Sequence, residues 1–185
     1  MLQLAIASLI RPEPSIQQVL RMQVPDAILF RVAVIVACIS GIIEPVIVAL
    51  INDPELSAKS SSPIMSAGIQ LAVIMVTAFA IDRIGNMFGG TGEFNGALKV
   101  SVWYGIVSIV PSAVVLLLTG LGGPAGTLAF VAVPFWLVFV LATFVRVLHG
   151  FRSQFLTLLG VLGSSFLILV FSLILLNMLG IVNLG

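Results

Sequence analysis

Residues 125–148, AGTLAFVAVPFWLVFVLATFVRVL, run past with a single ionisable side chain, Arg146. About 20 apolar residues in a helix, each advancing it about 1.5 Å, cover the hydrocarbon layer of a bilayer. This stretch is long enough to cross. Four others are of the same kind, at about 27–50, 63–83, 97–119 and 155–179. A backbone in lipid must satisfy its own hydrogen bonds, so only helices and closed barrels remain open to such segments. Their length and lack of alternating polarity select helix. The separators NDPELSAKSSSP, NMFGGTGEFNG, GLGGP and HGFRSQ gather the residues that end helices. Composition agrees, with 60% hydrophobic and 8% charged residues, where soluble domains carry about 25% charged. The expected fold is all-α: a polytopic membrane protein, with a bundle of five transmembrane helices in residues 25–185. A short amino-terminal interfacial helical segment, 1–24, precedes it.

The charges give the bundle a direction. With the amino terminus inside, Arg11, Arg21, Arg31, Arg83, Lys99, Arg146 and Arg152 fall on the cytoplasmic side and Lys59 alone falls outside. Cytoplasmic loops collect Lys and Arg in this way. The tail LGIVNLG then ends outside, in the periplasm if the membrane is a bacterial inner membrane. The opening MLQLAIASLI lacks the positive n-region of a signal peptide and is expected to be retained. Together with SIQQVLRMQV it places apolar residues at helical spacing on either side of RPEP. That pattern predicts two short helices at the headgroup level, with Arg11 and Arg21 near anionic lipid.

MFGGTGEFNGALKV, residues 87–100, looks most like a motif. A Walker-type phosphate loop needs G-x-x-x-x-G-K-[ST] after a buried strand. Here Gly96 lies three residues before Lys99, and no Ser or Thr follows the lysine. The dinucleotide spacing G-x-G-x-x-G fails at Asn95. Gly89, Gly90 and Gly92 are expected instead to make a tight reversal, with Thr91 or Asn95 capping the third span. Lys99 would then sit at the inner interface, with Trp103 and Tyr104 about one turn deeper as interfacial anchors.

Inside the spans, Glu44 has two readings: it reaches outer headgroups, or it is a buried carboxylate that joins helices or lines a polar path. Arg31 is about 20 Å away along the same helix and cannot pair with it; it is expected to snorkel inward. Asp82 and Arg83 mark the inner end of the second span and, as helix neighbours, point apart. His149, flanked by Arg146 and Arg152, is expected to be an interfacial residue rather than a metal ligand. Cys38 is the one cysteine, so no internal disulfide is available. Small residues four apart, at Ala37 and Gly41, Ser101 and Gly105, Ser108 and Ser112, and Gly160 and Ser164, are candidate helix-packing positions. Pro111 and Pro134 are expected to bend their spans. No nucleophile–base pair, paired carboxylate or metal cluster emerges, so neither an enzyme nor a cofactor is expected. The basic residues are too few for nucleic acid.

GGTGEFNGALKVSVWYGI, followed by a proline-bearing span, resembles the central signature of the Yip family, the Ypt/Rab-interacting-protein membrane domain. PFWLVFVLATFVRVLHGFRSQFLTLLGVL is similar to it as well, an aromatic-rich span running into a small polar turn and a final span. The early LIRPEPSIQQVLR resembles the pre-span segment of bacterial members, and the similarity covers nearly the whole chain. The resemblance implies five spans, a cytoplasmic amino terminus and an outward carboxyl terminus. The eukaryotic branch is associated with Rab GTPases and vesicle traffic. Its DLYGP-type motif is absent here and the amino-terminal segment is short, which argues against GTPase binding. The expected function is a non-enzymatic scaffold or adaptor that binds membrane lipids and a membrane-protein partner, or self-associates. Arg11, Arg21, Lys99, Trp103, Tyr104, Arg146 and Arg152 are its candidate lipid or partner contacts. The alternatives are a small-solute or ion transporter or channel using Glu44 or Asp82, and an accessory subunit of a respiratory or photosynthetic membrane complex.

Overall fold

The computed structural model of the chain describes residues 2–51 and 62–178. The Glu44 side chain, Lys59 and the tail at 179–185 lie outside the described residues. Helices α1 (Leu2–Ile10), α2 (Pro12–Arg21) and α3 (Asp26–Ile51) are followed by α4 (Pro63–Met87), α5 (Phe94–Gly120), α6 (Pro124–His149) and α7 (Gln154–Met178). Among the described residues there is no strand.

Local chemistry sets several of these ends. Ser62 accepts the Met65 N–H at 3.3 Å and Pro63 follows it, so α4 starts with one orphan donor satisfied and one removed. The residue before α5 is Glu93, whose side chain makes no cap bond. Asn95, expected as a cap, instead donates to Asp26 Oδ1 and to the Val24 carbonyl. α6 ends where Gly150 takes φ 69° and its N–H returns to the Arg146 carbonyl, a left-handed closure that glycine adopts without penalty. α5 and α6 remain helical through Pro111 and Pro134.

Four helices, α3 to α6, are long and apolar enough to cross a membrane. In α7, Gln154–Met178, the apolar stretch within the described side chains is Gln154–Phe166, so among the described residues four of the five expected spans have crossing length and the last is a shorter apolar helix. Large apolar side chains face outward along the crossing helices, among them Ile35, Phe79, Val131 and Phe135, each more than half exposed. In water such a surface is an aggregation hazard. In lipid it is the solvated face.

α5 is the centre of the bundle. It packs against α3, α4 and α6, and α1 and α2 lie against it as well. One apolar cluster joins α2, α4, α5 and α6 around Ile16, Val100 and Phe144; another joins α3, α4 and α5 around Ala33, Ala78 and Val102. α3 approaches α4 closely at Gly41, where a Cβ would lie 2.6 Å from the Ala67 nitrogen. Among the described residues, α7 has its extensive contacts with α6.

Candidate functional site at the glycine-loop end of the bundle

The last residue of α6, His149, is almost fully buried at 2% exposure, in the loop between α4 and α5. Its Nδ1 accepts the Gly92 N–H at 3.2 Å, and its Nε2 lies 3.0 Å from the Ile81 carbonyl. A carbonyl only accepts, so Nε2 carries the proton. Nδ1 receives a backbone donor, so it carries none. The bonding network thus assigns the neutral Nε2–H tautomer.

The glycines make room for the ring. A Cβ at Gly85 would fall 2.2 Å from Nε2, one at Gly90 2.3 Å from Nδ1, and one at Gly92 2.8 Å from Cε1. Phe151 stacks on the open face at 5.4 Å between centroids. The loop amides are occupied too. Phe88, Gly89 and Gly90 N–H donate to carbonyls at the end of α4, Thr91 donates to the His149 carbonyl, and Gly92 donates to the ring. The stretch is therefore a histidine socket. It holds no free row of N–H groups for a phosphate, and both nitrogens of His149 are engaged. Among the described residues no group of three or more metal-type ligands forms.

The same end of the bundle holds the amino-terminal hairpin. The Trp103 indole donates to Ser8 Oγ at 3.0 Å, and the Trp136 indole donates to the Leu9 carbonyl at 3.2 Å. Arg146 pairs with Glu13, and Lys99 Nζ reaches the Leu20 carbonyl at 3.5 Å. Trp103 is nine residues into α5, about 14 Å by helical rise. α1 therefore lies alongside the long helices, with Ser8 and Ile16 fully buried. Trp103 is 6% exposed and faces protein, Tyr104 packs partly buried beside it, and Arg11, Arg21 and Arg152 are exposed.

The small residues fall in four places. Ala37 and Gly41 sit on the buried face of α3. Ser101 donates to the Ile74 carbonyl at 2.6 Å, and a Cβ at Gly105 would meet Val36 at 3.1 Å, so this pair lies where α5 meets α3 and α4. Ser108 and Ser112 line a cavity of about 280 Å³ with Ser40 and Gln70. Gly160 and Ser164 line a larger cavity, about 640 Å³, between α4 and α7. Asp82 lines neither; it accepts from the Asn86 amide and lies 3.8 Å from Arg83, whose guanidinium rests over Phe79.

Sequence reasoning placed His149 and the glycines separately and did not join them. No local signal links residues 57 positions apart. It also passed over Ser8, Glu13 and Trp136, although a Glu at 13 and an Arg at 146 are a pair that only the fold brings together. The family that matches is the one described as the Yip1 domain, over residues 6–176. No curated protein and no solved structure matches the chain.

Proposed function

Because the chain belongs to the Yip1 domain family, a family of non-catalytic membrane proteins, we propose that it is a membrane scaffold or adaptor. It binds lipids and either a membrane-protein partner or a second copy of itself. α7 supplies a fifth crossing, the glycine-loop end lies in the cytoplasm, and the carboxyl terminus lies outside, in keeping with seven basic residues on one side and Lys59 on the other. The observation that carries the reading is the platform at the glycine-loop end. There the hairpin and the histidine socket spend their polar groups internally. Outward they present Arg11, Arg21 and Arg152 beside exposed Ile6, Ile10, Met87 and Phe88. Cationic and apolar groups together suit a surface that meets headgroups and other membrane helices.

Affinity purification of the tagged chain in mild detergent tests this. A co-purifying membrane protein or a defined oligomer is expected, and a lone monomer at every detergent concentration would count against it. Protease protection of tags at the two ends tests the orientation, with opposite compartments expected. The cavity lined by Ser40, Gln70, Ser108 and Ser112 favours transport as a second reading. Solute flux into proteoliposomes that Gln70→Leu abolishes would move the assignment there.

A further inference from the structure

We propose that the groove between α4 and α7 holds one acyl chain of an anionic phospholipid, whose headgroup lies on Arg152. The inference rests on the scaffold reading only in taking the long helices as spans. It adds the identity of a bound lipid and its place.

Three observations converge on this occupant. The cavity, about 640 Å³, lies within the range of small-molecule sites. Among the described residues it runs from Phe88 and Arg152 at the glycine-loop end to Thr77 on α4 and Ser165 on α7. On α4 that is 11 residues and on α7 about the same, or roughly 16 Å of helix. Half of a roughly 30 Å hydrocarbon layer is about 15 Å, so the groove has the depth of one leaflet. A partner helix crossing the membrane needs a seam of twice that length.

Charge supplies the second argument. Among the described residues, Arg152 is the one ionisable side chain lining the cavity. It is exposed and, among the described residues, forms no ion pair or hydrogen bond. A cation at the mouth of an apolar slot complements an amphiphile with a negative head. The third argument is the wall itself. Thr157 and Ser164 give their hydroxyl protons to the Ser153 and Val161 carbonyls, at 2.8 and 3.0 Å, so they do not present donors to the slot. At Gly160 an added Cβ would meet nothing within 4 Å. The groove is open there to whatever fills it.

The test uses the full chain, reconstituted in vesicles of phosphatidylcholine with or without phosphatidylglycerol, then extracted gently for native mass spectrometry. The wild type is expected to retain about one phosphatidylglycerol in preference to phosphatidylcholine. Arg152→Gln should lower that preference about fivefold, the weight of one basic residue at an anionic surface. Gly160→Leu should abolish retention of either lipid while helical content and melting temperature stay at wild-type values. Equal retention of the two lipids by the wild type overturns the proposal, and so does undiminished retention by Gly160→Leu. A photo-crosslinker at position 160 that captures protein in place of lipid also overturns it. Partner co-purification, scored in the same preparations, separates this failure from that of the scaffold reading: bound partner without lipid sinks the lipid site alone.

Discussion

The Gly92 N–H donates to Nδ1 of His149 across 3.2 Å, a bond between residues 57 apart in the chain. It ties the end of α6 to the loop that joins α4 to α5. With Nε2 on the Ile81 carbonyl, one side chain fixes the ends of α6 and α4 and the loop that leads into α5.

Replacing His149 by Leu leaves the Gly92 N–H buried without an acceptor. A buried donor stripped of its partner costs about 1–3 kcal/mol. Hydrogen exchange at the Gly92 amide should accelerate and the melting temperature should fall. His149→Asn, which keeps an acceptor near the Nδ1 position, should fall less. Equal losses for the two variants would mean that ring volume, not the bond, is what matters.

Gly85→Ala drives a methyl to within 2.2 Å of Nε2, and the ring has to leave its slot. Overpacking of this kind costs about 1–3 kcal/mol. Gly68 is the matched control, since a Cβ there meets nothing within 4 Å. Gly68→Ala should hold or slightly raise stability, because alanine is the better helix former by about 1 kcal/mol. Thermal unfolding in one detergent compares the two directly.

Trp103→Phe keeps the aromatic body and removes the donor to Ser8. The expected loss is about 0.5–1.5 kcal/mol, that of one neutral hydrogen bond. Its signature is local: cleavage by trypsin after Arg21 should quicken while the long helices remain protected. Unchanged cleavage would show that apolar contacts around Ile16 suffice to seat the hairpin.

The Glu13–Arg146 pair is half-open to solvent, with 50% of the Glu13 side chain exposed and 22% of the Arg146 side chain. Pairs of this exposure contribute about 0.2–1 kcal/mol and weaken as salt is raised. A double-mutant cycle with Glu13→Gln and Arg146→Gln should return a coupling in that range. A coupling several times larger would place the pair in a drier setting than its exposure indicates.

The helices could be read from the chain because membrane crossing is a one-dimensional property. Apolar length is local, so the stretch at 125–148 is found as α6, Pro124–His149, without knowledge of any neighbour. The histidine socket is of the opposite kind. GGTG announces missing Cβ atoms, but not what occupies the space they leave, and a tight turn was the nearest local explanation. Trp103 misled for a related reason. An indole one helical turn or more inside a span suits a lipid interface and a buried serine equally well by composition, and only the position of Ser8 decides between them. The amphipathic pattern of residues 15–24 pointed to docking. Periodicity states that an apolar face is covered, and is silent on whether lipid or protein covers it.

The socket also limits how the chain can change in length. An α-helix turns about 100° for each residue, with 3.6 to the turn. One residue inserted between Pro124 and His149 would therefore swing the imidazole sideways out of its slot, and one deleted would swing it the other way. α6 can exchange its lipid-facing side chains freely, yet its tally of residues is locked to the position of Gly92.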